Sequence, residues 1–144
     1  MKLPQSLLNE LDKLGIDEAD ITELILQYFK LDKDIKVKIY KELSNTLLSQ
    51  VCNLIKNGEL DNAKLKLYKS IELYIRSISL ERGIEEAEKL EKYGKWTPSN
   101  IEVIAKSIGD EHFKLLNEAY SLYEKDVTKE ELINYVNRVR NIMR

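Results

Sequence analysis

The amino-acid sequence predicts an all-α protein, an up-and-down helical bundle with an N-terminal helical arm. Three observations predict it. From about Ile35 to Arg82, apolar residues recur at helical spacing with one interruption, at Asn57-Gly58. In the second half of that stretch Leu60, Ala63, Leu67, Ile71, Tyr74 and Ile78 follow one another at steps of three or four. Lys64, Lys66, Lys69, Glu72 and Arg76 stand between them, which stacks the apolar side chains along one stripe and leaves the charges to water. The composition is 43% hydrophobic and 33% charged, with 5 Gly and 2 Pro in 144 residues; that is enough apolar surface for a real core and too few breakers for a disordered or loop-rich chain.

Each element follows from its local residues. Pro4 suits the first turn of a helix running to Leu14, with Leu7, Leu8, Leu11 and Leu14 as its apolar edge and Gly15 as its stop. Asp17 opens a second helix, with Asp20 as the capping-box acid, and Ile21, Leu24, Ile25, Tyr28 and Phe29 supply its face. Leu31 to Asp34 reads as a hinge, so residues 1–34 are expected to form the arm and residues 35–144 the bundle. The third helix buries Ile39, Leu43, Leu47, Val51 and Leu54. Asn57-Gly58 then turns the fourth back antiparallel to it as far as Arg82-Gly83. A short acidic helix, Ile84 to Lys92, leads to the aromatic loop Tyr93 to Pro98. Thr97 or Ser99 caps a helix carrying Ile101, Ile104, Ala105 and Ile108. Beyond Gly109-Asp110, Phe113, Leu116, Ala119, Tyr120 and Tyr123 share one side of the next helix. Thr128 and Glu131 form a capping box for the last, whose Leu132, Tyr135, Val136, Val139, Ile142 and Met143 face inward.

The charge balance, 25 acids against 23 bases, gives no global basic field for nucleic acid. Its distribution is uneven: residues 1–34 hold eight acids and four bases, and the tail from Arg138 to Arg144 holds three arginines and no acid. Cys52 is the sole cysteine, which excludes an intrachain disulfide and cysteine-pair zinc sites; its helical neighbours favour a small buried hydrophobe over a nucleophile. No apolar run reaches the length of a membrane span, and Met-Lys-Leu-Pro does not begin a signal peptide, so a cytoplasmic protein without membrane contact is expected. The abundance of Lys, Glu and Ile hints at a thermophile.

Catalytic signatures are sparse. His112, the only histidine, could act as a general base oriented by Glu111, against the plainer reading of a surface or interface histidine. One histidine cannot build a multi-histidine metal site, and Gly109 stands where a di-iron Glu-x-x-His pair needs glutamate, so no metal and no cofactor is expected. The Glu85-Glu86-Glu88-Glu91 run alternates with lysines as a solvated surface does. Trp96, with Tyr93, Lys92 and Lys95, combines aromatic and basic groups able to stack a base and neutralise a phosphate. The plainer reading is a loop anchored by its tryptophan. Arg76 joins Trp96, Tyr93 and Lys95 as a candidate ligand-binding residue. Tyr68, Tyr74, Tyr120 and Tyr123 fall on helical stripes suited to a core or a two-fold interface.

The segment from Asn57 through Glu72, the Trp96 loop, Ala105-Lys106-Ser107-Ile108-Gly109, and Asn117 through Tyr123 together resemble the archaeal PaREP-one family, as do Leu3-Pro4 and Leu14 through Asp17. The resemblance covers nearly the whole chain and rests on structural rather than catalytic motifs. It implies a HEPN-like helical bundle that dimerises, with a nucleotide or RNA as ligand or a small nucleotidyltransferase as partner. HEPN ribonucleases carry an arginine four to six residues before a histidine. Here the last arginine before His112 is Arg82, thirty residues upstream, so the resemblance implies a non-catalytic, self-associating binding module. The alternatives are an unconventional ribonuclease, in which folding brings Arg76 or Arg82 to His112, or a nucleotidyltransferase partner in a toxin–antitoxin-like pair.

Overall fold

The computed structural model describes residues 1–143, and the chain divides into two units, residues 1–32 and 33–144. Among the described residues there are eight α-helices and no strand.

The first unit holds α1 (Gln5–Lys13) and α2 (Glu18–Tyr28). Pro4 stands just before the first helical turn rather than within it. Asp17 caps α2 in a full capping box: its carboxylate accepts from the Asp20 N–H at 3.0 Å, and the Asp20 carboxylate accepts from the Asp17 N–H at 3.1 Å. Local signals therefore set both helices, yet α1 buries no residue and α2 buries Ala19 alone.

The second unit is an all-α bundle of α3 (Lys33–Lys56), α4 (Leu60–Glu81), α5 (Glu85–Tyr93), α6 (Pro98–Ile108), α7 (Asp110–Glu124) and α8 (Lys129–Ile142). Helix α3 begins at Lys33, inside the stretch expected to be a hinge. Gly58, at φ +76°, takes the left-handed conformation that ends α3 and reverses the chain. Helices α3 and α4 then pack antiparallel along most of their length, and α4 also contacts α5, α6, α7 and α8. This central position has a direct consequence, because every residue from Leu73 to Leu80 is buried, all around the helix.

Six polar residues are buried in the α3–α4 pair, and four of them are serines. Ser44 Oγ donates to the Ser70 carbonyl at 2.7 Å and Ser70 Oγ donates to the Ser44 carbonyl at 2.8 Å. Ser77 Oγ donates to the Val37 carbonyl at 2.8 Å, and Ser79 Oγ to the Arg76 carbonyl at 3.0 Å. Small hydroxyl side chains allow the two helices to approach closely, and each finds a main-chain acceptor rather than a buried void. Lys64 and Arg76, expected in water, are both buried. Lys64 lies in the interior because its Nζ donates to the Lys125 carbonyl at 2.8 Å and pairs with Asp61 at 3.4 Å, tying the α7–α8 turn to α4.

The remaining helices follow the sequence with local departures. Thr97, not Ser99, caps α6, and the Thr128 side chain accepts from the Glu131 N–H at the start of α8. Helix α7 buries Leu115, Leu116 and Ala119, whereas Tyr120 and Tyr123 stand half exposed with their rings against Tyr68. On α8, Leu132, Tyr135, Val136 and Val139 are buried, and the Tyr135 hydroxyl donates to the Leu115 carbonyl. Cys52 is half-buried rather than fully enclosed, and Arg140 Nη2 lies 2.8 Å from its Sγ.

The reciprocal serine contact yields a stability prediction. Ser70→Val adds a methyl group to a close helix contact and removes the hydrogen bond that the Ser70 hydroxyl donates to the Ser44 carbonyl, so it should cost about 2 kcal/mol in denaturant unfolding. Ser121→Val, on the exposed side of α7, should cost within about 0.5 kcal/mol. Equal effects at both positions would contradict the close α3–α4 packing.

Candidate functional site

The buried stretch of α4 carries an arginine, and its surroundings assemble from three separate parts of the bundle. The Arg76 guanidinium lies between two aromatic rings, 5.8 Å from the Tyr40 centroid on α3 and 5.2 Å from the Trp96 centroid in the α5–α6 loop. Both rings present their electron-rich faces to the cation. Glu91, on the last turn of α5, joins the same rings at their polar ends. Its Oε1 accepts from the Tyr40 hydroxyl at 2.7 Å and pairs with Lys36 Nζ at 3.1 Å, and its Oε2 accepts from Trp96 Nε1 at 2.9 Å. The Glu91 side chain is only 13% exposed, so these charge-assisted bonds form largely away from water. Lys36 and Tyr40 reach it together because they are four residues apart on one face of α3.

The sequence-derived candidates separate here. Arg76 and Trp96 come together, and the indole has Arg76 at its face and Glu91 on its N–H. Tyr93 is 85% exposed and lines a different feature, an open groove of about 370 Å³ between α5 and α6. Leu90, Val103 and Ile104 supply its apolar lining, and Glu86 and Lys89 line it as well. The Lys95 side chain is exposed, and its carbonyl accepts from Asn100 Nδ2 at 3.0 Å. Three residues of the Arg76 cluster were not singled out from the sequence: Lys36, Tyr40 and Glu91. The one available signal was the indole N–H, which demands an acceptor when half-buried.

His112 occupies a second locus on the first turn of α7. Its imidazole stacks on the Tyr74 ring with centroids 5.9 Å apart and planes 20° apart. The Tyr74 hydroxyl donates to the Ile142 carbonyl at 3.3 Å, and burial raises its pKa. Arg82, the C-cap of α4, donates from Nη1 to the Ile108 carbonyl at 3.5 Å. Burial lowers the His112 pKa below 6.5, and the Arg82 charge lowers it further; Glu111 opposes both. A neutral imidazole beside a cation is therefore the resting state at neutral pH. Of the two arginines, Arg82 is the one whose charge bears on His112, and Arg76 stays with Tyr40 and Trp96.

A third cluster gathers Tyr68 with Tyr120 at 5.8 Å and Tyr123 at 6.5 Å. Burial, followed by the charge of Glu72, the Tyr120 side chain and the charge of Glu102, pushes the Tyr68 pKa up to about 12. Among the described residues no three His, Cys, Asp or Glu side chains converge as metal ligands, and no helix is long and apolar enough to cross a membrane. Compared with known protein families, with curated proteins and with solved structures, the chain matches none.

Two measurements check these geometries. Glu91→Ala removes the acceptor shared by Tyr40 and Trp96 and the partner of Lys36, which should cost about 2–3 kcal/mol and red-shift the emission of Trp96, the only tryptophan. An unshifted spectrum with wild-type stability would contradict the cluster. His112, as the single histidine, gives one ring signal in an NMR titration, and its midpoint should fall below 6.5. Because the unfolded chain binds that proton first, stability should decline as pH drops from about 6.5 to the folded-state pKa, and His112→Gln should remove this part of the slope. A midpoint at or above 6.5 would refute the burial and the Arg82 effect.

Proposed function

We propose that this protein is a non-catalytic helical module that self-associates and presents a binding surface, with RNA or a nucleotide as the ligand class implied by its PaREP-one resemblance. One observation carries the self-association. The first unit exposes Leu7 and Leu8 on α1, Leu14 at its C-cap, and Leu24, Ile25 and Tyr28 on α2, while burying Ala19 alone. Helices of 9 and 11 residues are too short to persist in water on propensity, so a packed apolar face must support them. Exposed stripes of this extent belong to proteins that bury them against a partner.

The Arg76 cluster fits a structural role within such a module. Its aromatic faces and its carboxylate engage one another, which fastens the α5–α6 loop to α3 and α4. A second reading, an unconventional ribonuclease, is favoured by the influence of Arg82 on His112. A neutral imidazole could take the proton of a ribose 2′-hydroxyl while the guanidinium offsets charge on the phosphate.

Light scattering coupled to size-exclusion chromatography tests the leading reading: the chain should elute at twice its 16.8 kDa mass at micromolar concentration. A monomer would overturn it. Metal-free incubation with labelled single-stranded RNA separates the two readings. The leading one predicts no cleavage beyond that of an Arg82→Ala, His112→Ala variant, and cleavage lost in that variant would establish the second.

A further inference from the structure

We infer that the protein dimerises through its first unit, with α2 of one copy packed antiparallel on α2 of a second copy about a two-fold axis. This rests on the self-association proposed above and assigns it a surface. Ten of the seventeen large apolar side chains that the described residues leave exposed lie between Met1 and Leu31, which concentrates the uncovered apolar surface in the arm. There Ile21, Leu24, Ile25 and Tyr28 fall at i, i+3, i+4 and i+7 and form one stripe of α2. Leu24 and Ile25 are about half exposed, and Tyr28 is 83% exposed. Ala19, the one buried residue of the unit, and the half-buried Leu26 lie roughly 150° or more around the helix from that stripe. A helix apolar on two opposite sides needs a neighbour on each, and the stripe side lacks one.

Symmetry and area select the occupant. No charged residue stands on the stripe, because Glu18, Asp20 and Glu23 are each about 70° or more from its centre. Those acids, with Asp17, are already engaged by other groups, the capping box among them. The face therefore asks for an apolar partner and not for a cation, and a second copy supplies one. Antiparallel pairing about the midpoint of Leu24 and Ile25 sets Leu24 beside the partner's Ile25 and Tyr28 beside the partner's Ile21. Each ring then meets a smaller side chain, and the two helix dipoles run in opposite directions. Leu24, Ile25, Tyr28 and Phe29 expose on the order of 500 Å² per copy. Two copies thus bury about the 1,000 Å² that a specific interface must clear, before Leu14 or Leu31 adds to it. The α5–α6 groove, of about 370 Å³ and lined in part by Glu86, is too small to cover such a face. Pairing like with like also leaves an electrostatic signature. Residues 1–32 carry seven acids and three bases, so two arms at −4 repel while their apolar faces touch, and salt should tighten the dimer.

The test uses the full-length chain in analytical ultracentrifugation. Wild type should sediment as a dimer whose dissociation constant falls as NaCl rises from about 50 to 500 mM. Leu24→Glu and Leu24→Lys each place like charges on both sides of the axis, and each should weaken dimerisation at least about tenfold. An equimolar mixture of the two variants should associate more tightly than either alone, because opposite charges then face one another. Val103→Glu, exposed on α6, should dimerise as wild type does. Amine cross-linking of mixed heavy- and light-isotope wild type needs no variant: Lys13 and Lys30 should link heavy to light chains. A wild-type monomer overturns both the inference and the self-association beneath it. A wild-type dimer that loosens with salt, that survives both Leu24 variants, that mixing them does not restore, or whose heavy-to-light links are confined to the bundle overturns the arm pairing alone and leaves self-association standing.

Discussion

Two serine hydroxyls, each donating to the other's main-chain carbonyl across the α3–α4 contact, mark the constraint on which the bundle depends. Helices meet closely only where side chains are small, and a small polar side chain is tolerated inside only if its hydroxyl is bonded. Ser44, Ser70 and Ser77 meet both conditions. Their placement presses α4 against α3 along one side and leaves its other sides for α5, α6, α7 and α8. A helix packed on every side has no solvated face. The burial of Leu73 through Leu80 follows from that position rather than from exceptional hydrophobicity.

The same centrality positions the chemistry. Arg76 sits in the fully buried stretch of α4 and meets α3 and the loop beyond α5, while Tyr74, two residues earlier, turns toward α7 and the C-terminus of α8. Residues two apart on a helix point to opposite sides, so one helix holds two polar-aromatic loci that do not share side chains. The first locus closes on itself, with a guanidinium between two rings and a carboxylate bonded to both. The second keeps a neutral imidazole beside a cation.

Helix existence, order and turns were legible because they rest on local chemistry: the Asp17 and Thr128 caps, the glycine at position 58, and the stripe from Ala63 to Ile78. What was not legible depends on partners distant in the chain. Arg76 read as part of a solvated face because its rings belong to α3 and to the loop after α5, and Ser70 and Ser77 gave no signal because their acceptors lie on α3. Glu91 was hidden in a charged run, and its role emerges only where Tyr40 and Trp96 converge on it. The charge of Arg82 bears on His112, thirty residues away in sequence, because α4 packs against α7. Tyr120 and Tyr123 obey the periodicity of Leu116 and Ala119 but lie at the margin of the stripe, where the bundle ends and solvent begins.

The two units of the chain contrast in how they are held. The second is stabilised by a dense interior around α4; the first has a capping box on α2 and apolar stripes but buries almost nothing. Native-state hydrogen exchange measures that contrast residue by residue. The account predicts that amides from Leu73 to Leu80, and those of α3 around Ser44, exchange only through global unfolding and form the slowest set in the molecule. Amides of the α4 segment exchanging as fast as those of the outer helix α8 would contradict the claim that a helix enclosed on all sides organises this fold.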